Sequence, residues 1–286
     1  MMGNDNITAY QYLSMYSFNT DSYYAFGKTP VSVQSIYETV TANPLVTWET
    51  AKTWNIGFSS QFLNGKLGLD LDYFQSNRND ILITRNASIP TYSGLSLPAE
   101  NLGKVKNHGF EAIATYRDSK GDFEWGVTGN VTYAKNEVVY ADEAADTPAW
   151  QRETGHPIDG GTYYKALGIY QTQEQIESTP HLSGTKIGDL IYQDTNKDGN
   201  ITWDDAVRRD KSATPKWIFG LTLNGSWKGM DVNAFFQGQA DAEILVQPTM
   251  NMATDFYEGR WSESNTAEQN AAAKWPRAFM KASSVD

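Results

Sequence analysis

A chain of 286 residues with 34 Asp and Glu against 23 Lys and Arg has a formal charge of -11, a surface that repels phosphate and excludes nucleic acid as a partner. It has no cysteine, which excludes disulfides and thiolate metal sites, and no run of 18 apolar residues or basic-then-apolar leader at "MMGNDNITAY", which excludes a spanning helix and a secretory signal within this sequence. Nine Trp, 16 Tyr, 12 Phe and 23 Gly favour an all-β protein rich in turns, and the mean hydropathy of -0.53 looks soluble yet suits a membrane barrel equally well, because its strands are apolar only on alternate residues.

In chain order, a strand ending at Phe62 turns through Asn64-Gly65, a type I′ hairpin signal, into "KLGLDLDYF" (66–74). There Leu67, Leu69, Leu71 and Tyr73 oppose Lys66, Gly68, Asp70 and Asp72, one greasy face and one wet. A long connection over roughly 84 to 103 follows, with the triplet Asn86-Ala87-Ser88, which carries little weight in a bacterial barrel. "GFEAIATYRD" (109–118) then turns at Ser119-Lys120-Gly121 into "FEWGVTGNVTY" (123–133), where Phe123, Trp125, Val127, Val131 and Tyr133 oppose Glu124, Thr128, Asn130 and Thr132. A second long connection covers 136–215. "WIFGLTLNGSW" (217–227) sets Trp217, Phe219, Leu221, Leu223 and Trp227 against Thr222, Asn224 and Ser226, and turns near Lys228-Gly229 into "MDVNAFFQG" (230–238).

Alternation alone leaves two architectures open, a half-buried sandwich strand and a membrane-barrel strand. The placement of aromatics favours the barrel. Two strands run eleven residues with Trp, Phe or Tyr at both ends of the apolar face, about the length a tilted strand needs to cross a bilayer between aromatic girdles. Tight turns and long connections also alternate strictly, as when short turns face the periplasm and long loops face outside. In that arrangement Asp70, Asp72, Glu124, Asn130, Thr222, Asn224, Asn233 and Gln237 face the lumen. About six strands are too few to close such a barrel, so the chain is expected to be part of a larger one.

Within the second long connection, "DTNKDGNITWDD" (194–205) has the spacing of a calcium loop. Asp194, Asn196 and Asp198 stand at positions 1, 3 and 5, Gly199 at 6, Asn200 at 7 for its carbonyl, Thr202 at 9 and Asp205 at 12. The competing reading is an ordinary Asn-Lys-Asp-Gly turn held by its own side chains. Trp150, Tyr163, Tyr164, Tyr257, Trp261 and Trp275 lie in predicted outer loops, where they either stack on sugar rings or pack and anchor the loops. His108, His156 and His181 form no pair at metal-ligand spacing. No spacing among the carboxylates identifies a glycosidase dyad, and no catalytic constellation is visible, so an enzyme is not expected.

Several stretches, in order, resemble the C-terminal half of the barrel of a SusC-type (RagA-like) TonB-dependent receptor of Bacteroidetes. "NPLVTWETAKTWNIGF" (43–58), "LDYFQSNRNDIL" (71–82), "NLGKVKNHGFEA" (101–112) and "NVTYAKNEVV" (130–139) are followed by "GHPI" (155–158), "GIYQTQEQIE" (169–177) and "GDLIYQDTNKDGNITWDD" (188–205), then by 214–238 and "YEGRW" (257–261). The resemblance implies a segment (1–286) of an antiparallel transmembrane β-barrel with long extracellular loops in the outer membrane of a Gram-negative cell. It also implies import of glycans, oligosaccharides or similar nutrients with a SusD-like surface lipoprotein, energised through the TonB complex. The family's signal peptide, TonB-contacting peptide and plug domain have no counterpart in these residues, "MMGNDNI" resembles an internal segment, and the end at Val285-Asp286 lacks the family's closing aromatic strand. A competitor from another class is a secreted, calcium-stabilised β-sandwich that binds carbohydrate. Its apolar faces would pack against each other.

Overall fold

The computed structural model describes residues 7, 10–19, 23–24, 31–32, 34–85, 97–245 and 253–278, so Asn86-Ala87-Ser88 and the two ends lie outside the described residues. In chain order the elements begin with β1 (Met15–Asn19), β2 (Tyr23–Tyr24), β3 (Val31–Ser32) and β4 (Ser35–Val40), which pair as β1 with β4 and β2 with β3. Four long strands follow: β5 (Thr50–Phe62), β6 (Leu67–Thr84), β7 (Ala99–Lys120) and β8 (Phe123–Tyr140). The next stretch has β9 (Thr162–Tyr163), β10 (Ala166–Ile169), α1 (Gln173–Ser178), β11 (Leu190–Tyr192), a 3-10 turn (Trp203–Asp205) and β12 (Val207–Arg208). Then come β13 (Trp217–Trp227), β14 (Met230–Ala240), α2 (Ala253–Gly259) and α3 (Ala267–Ala271). The chain divides into a sheet unit (1–147, 153–158, 214–242) and a loop unit (148–152, 159–213, 243–286).

The sheet unit contains one six-stranded antiparallel sheet in the order β14-β13-β8-β7-β6-β5. Its registers sort side chains by face. Phe58, Leu71, Ala112, Val131, Phe219 and Gly238 form one continuous row, while Ser59, Asp70, Ile113, Asn130, Gly220 and Gln237 form the adjacent row on the other face. All eight residues expected to face the lumen fall on that second face, which Ile113, Ile218 and Phe235 interrupt. A slip of one residue in any pair would exchange the faces, so the pattern itself fixes the register.

Nothing among the described residues covers the apolar face. Ile56 and Val232 are 68% and 69% exposed, and Phe58, Leu71, Phe219, Leu221 and Phe236 are exposed with them. A sandwich would bury these side chains under a second sheet. The sandwich therefore fails, and the face is one that meets lipid. Two aromatic rows bound it. Tyr73, Phe110, Tyr133 and Trp217 share a row in register, with neighbouring ring centroids 4.7 to 5.9 Å apart along β7, β8 and β13. Phe62, Tyr116, Phe123, Trp125 and Trp227 lie toward the tight turns, with Tyr116 and Trp125 at 5.3 Å. Ten steps along β13 from Trp217 to Trp227, at about 3.3 Å each and a tilt near 40°, span about 25 Å, the height of an outer-membrane apolar band.

All three tight turns lie at this end. Asn64 and Gly65 are left-handed (φ 57° and 86°) with Lys66 N donating to Leu63 O, as a type I′ turn requires. β13 turns through Lys228 and Gly229 in the same region of φ. β7 passes into β8 through Gly121-Asp122, two residues later than the sequence suggested, because Ser119 and Lys120 still pair with Glu124 and Phe123.

β6, β7 and β8 have 18, 22 and 18 residues against 11 for β13 and β14, so they run well past the upper aromatic row. The "NPLVTWE" stretch ties this overhang together. Asn43 donates to Ala99 O (2.8 Å), Asn101 donates to Thr47 O (2.9 Å) and accepts from Thr47 N (2.9 Å), and Thr50 donates to Asp80 at a bulge where Asp80 has φ 59°. "GHPI" serves the end of β8: Val138 N donates to His156 O and Gly155 N to Val138 O.

Candidate functional site

The polar face of the sheet is the first candidate surface. Ser59 donates to Asp70 (2.5 Å), Asn233 to Asn224 (2.5 Å), and Thr115 and Thr128 share a bond of 3.3 Å. Near the tight turns a concavity of about 700 Å³ is lined by Arg117, Glu124, Asn224, Asp231 and Asn233 among others. Two glycines let large groups lie flat on the sheet. A Cβ at Gly57 on this face would stand 2.5 Å from Asp72 Oδ1, and one at Gly238 on the apolar face 2.5 Å from the Phe219 ring. At the turn itself, Lys66 is held above the usual lysine range by its hydrogen bond and charge pairing with Asp118, 2.6 Å away. This surface offers carboxylates, amides and hydroxyls to a hydrophilic solute and has no arrangement for covalent chemistry.

The loop unit has its own small core. Tyr170, Ile176, Ile201, Ala206 and Trp261 are buried in it together with two carboxylates, Asp189 and Asp205. Asp189 meets Arg277 as a fork, Nε to Oδ1 at 2.6 Å and Nη2 to Oδ2 at 3.3 Å, and accepts from Lys186 N at 2.8 Å. Gly188 has φ 91° and the Trp261 ring where a side chain would start, so only glycine fits. Arg209 makes a second fork to Glu243 at 2.9 and 2.6 Å, which raises it further above its ordinary range. Neither fork was visible in the sequence, since 88 and 34 positions separate the partners.

Residues 194–205 close on themselves. Asp194 accepts from Lys197 N (2.7 Å) and Gly199 N (2.9 Å), Asn196 from Asp198 N (2.9 Å), and Asp198 from Asn200 N (2.7 Å). Gly199 at φ 84° makes the sharp bend that position 6 needs. Asp205, fully buried, accepts from Thr195 N (2.7 Å) and Asn196 N (3.2 Å) on one oxygen and from Thr202 N (2.8 Å) on the other. Thr202 caps the 3-10 turn instead of pointing at the loop centre. Among the described residues no three His, Cys, Asp or Glu side chains gather closely enough to share a metal ion.

The six loop aromatics divide. Trp150 donates from Nε1 to Asp204 O (2.8 Å) beside Gln151, which donates to Trp203 O and Ala206 O, so the pair closes the 3-10 turn. Tyr164 packs on Tyr192 (5.1 Å) and edge-on to Trp203 (6.1 Å). Burial first, then the charges of Asp205 and Asp204, hold its phenol above the usual range. Trp261 is 8% exposed and donates to Gln171 (3.1 Å), while Trp275 sits against Gly259 and Phe256. Tyr163 lies exposed in the β9–β12 pair, and Tyr257 is 68% exposed with the Arg260 guanidinium 3.9 Å over its ring. Trp203, 59% exposed, joins the exposed set. It stood inside the quoted loop, and its apolar bulk among Asp and Thr was the signal that could have found it.

An antiparallel sheet with one lipid-type face between aromatic rows, one polar face, and alternating tight and long connections is a segment of a membrane β-barrel. A family model described as TonB dependent receptor-like, beta-barrel, matches residues 8–266, and the chain belongs to that family. Its setting is the outer membrane. Relatives include TonB-dependent receptor P3 of Formosa agariphila (29% identical, 92% of this chain) and TonB-dependent receptor SusC of Bacteroides thetaiotaomicron (25% identical, 95% of this chain). The chain spans 28% and 27% of those proteins. Among solved structures, one titled as the RagAB peptide importer in the open-open state matches with TM-score 0.59 at 19% identity. It covers 84% of this chain and 25% of the other, a likeness of fold.

Proposed function

We propose that this chain is part of an outer-membrane active transporter that takes up a hydrophilic nutrient, a glycan or oligosaccharide first, energised through TonB and working with a SusD-like surface lipoprotein. The observation that carries the reading is the polar ladder from β5 to β14, a surface that solvates a sugar-like solute along a path the bilayer excludes. Membership of the TonB-dependent receptor family and likeness to SusC support it. The peptide importer among the structural neighbours supports a second substrate class, peptides. The test is deletion of the receptor in its host and growth on defined oligosaccharides or peptides as sole nutrient. Loss confined to one class assigns the substrate, and unchanged growth on both overturns import. Co-purification of a surface lipoprotein with the tagged receptor tests the partner.

For residues 194–205 the proposal is a weak calcium site formed by Asp194, Asn196, Asp198, Asn200, Thr202 and Asp205. Its spacing and the bend at Gly199 support it, and the hydrogen bonds already accepted by Asp205 oppose it. Among the aromatics, Tyr163 and Tyr257 are the proposed stacking contacts to substrate, because of the six they are the exposed ones. Trp150, Tyr164, Trp261 and Trp275 serve a substrate less directly, by shaping the loop unit.

A further inference from the structure

The pairing registers continue on the apolar face past the upper aromatic row. One row beyond it, Trp54, Gln75, His108 and Lys135 stand opposite one another, and in the next row Lys52, Asn77, Lys106 and Glu137. Lys104 follows Lys106 on the same side of β7 by alternation. Four lysines and a histidine thus share this side with Glu137 and, by the same alternation, with Glu100, which Arg85 already pairs, in a chain whose acids outnumber its lysines and arginines 34 to 23. Glu137 is opposite Lys106 in register, yet among the described residues neither Glu137 nor any of these four lysines is in an ion pair. His108 Nδ1 is buried with no hydrogen-bond partner.

The height of this strip says what it meets. Two residues along a strand advance about 6.7 Å, so Lys135 lies about 7 Å, Lys52 and Lys106 about 13 Å and Lys104 about 20 Å beyond the aromatic row, or about 5, 10 and 15 Å along the membrane normal at a tilt near 40°. The headgroup layer above the hydrocarbon is roughly 5 to 8 Å thick. Lysine stems reach along the surface, so Lys135, Lys52 and Lys106 can set their ammonium groups in that layer, while Lys104 stands at its outer edge. We propose that Lys52, Lys104, Lys106 and Lys135 form a strip that binds the phosphate-bearing headgroup of an anionic lipid in the outer leaflet. Charge complementarity selects this occupant: among the described residues the lysines make no ion pair, and they stand at and just above the level of the lipid phosphates. The inference rests on the lipid-facing reading of the sheet and is independent of what is imported.

The test uses the receptor that contains this chain, purified in detergent and offered mixed micelles doped with phosphatidylglycerol or with phosphatidylcholine. Lipid retained through gel filtration is then counted by native mass spectrometry. Each lysine near a membrane surface changes anionic-lipid affinity roughly fivefold. The wild type is expected to retain phosphatidylglycerol preferentially and to lose it in high salt, and the combined K52Q, K104Q, K106Q and K135Q variant to retain at least about tenfold less. Glu137→Gln, which disturbs one side chain, is expected to raise retention and stands as the decisive variant if the fourfold one does not fold. Equal retention of both lipids, no drop in the fourfold variant, or no rise in Glu137→Gln overturns the proposal. So does loss of a receptor dimer in the fourfold variant with lipid retention unchanged, which would make the strip a protein interface.

Discussion

In the sheet unit Ile56, Val232 and Phe236 stand open on a broad apolar face, whereas in the loop unit Tyr170, Ile176 and Ala206 are almost wholly enclosed. Of the seven buried apolar residues among those described, Tyr170, Ile176, Ile201, Ala206 and Trp261 belong to the loop unit. The loop unit therefore folds by the rules of a water-soluble protein, with a small core, capped helices and buried carboxylates satisfied by backbone N–H groups. Among the described residues the sheet unit buries only Leu82 and Val138 of its apolar side chains. Its strands are held by continuous ladders, and its apolar side chains wait for lipid. Hydrophobic residues thus mean burial in one part of this chain and solvent contact in the other, where the solvent is hydrocarbon.

That contrast can be broken from either side. The largest effect is expected for Leu221→Arg, at the middle of the apolar band, which should cost about 4 kcal/mol and sharply reduce folded receptor in the membrane, read as the urea midpoint of refolding into lipid. The same change at an exposed polar-face position such as Asn224 should cost under about 1 kcal/mol. Arg277→Ala leaves Asp189 buried without its partner, and an expected loss of about 3 kcal/mol should fall on the loop unit while the sheet's amide exchange is unchanged. Asp205→Asn replaces an acceptor of backbone N–H groups by a donor and should cost about 2 kcal/mol, with or without calcium, by the same readout. Calcium at tenfold above a dissociation constant near 1 mM should stabilise the loop unit by about 1.4 kcal/mol. No shift in thermal midpoint at 10 mM calcium removes the site.

The smallest effect concerns pH. The phenol of Tyr164 is raised in the folded state, first by burial and then by the charges of Asp205 and Asp204, so the folded form disfavours its ionisation. Stability from this group is complete below the unfolded value near 10 and is lost as pH rises through the folded value. Alkaline titration of the loop unit should show a decline above about pH 10 that Tyr164→Phe removes.

The strands were legible because a period of two survives in any environment: Leu67 to Tyr73, Phe123 to Tyr133 and Trp217 to Trp227 each put their apolar residues on one observed face. Their true lengths were not. Beyond Tyr133 and Phe110 the alternation gives way to polar residues on both faces, so the overhang of β7 and β8 read as loop. The connection expected over 136–215 begins after Tyr140 and contains short strands, a helix and a 3-10 turn instead of irregular chain. For Trp150 and Trp261 the sequence left sugar stacking and loop packing both open, because position marks a loop residue without marking its exposure, and both are used inside the fold.

By itself the sequence determined the two faces of each strand, the tight turn at Asn64-Gly65 and the family. These depend on local alternation, backbone preference and ordered motifs, which neighbours in the chain specify. Only the tertiary structure decided that none of the described residues covers the apolar face, that Arg277 answers Asp189 across 88 positions, and that Asp205 turns its oxygens to Thr195, Asn196 and Thr202. Each of these turns on which groups distant in sequence come to share a few ångströms of space, and no local pattern of side chains encodes that.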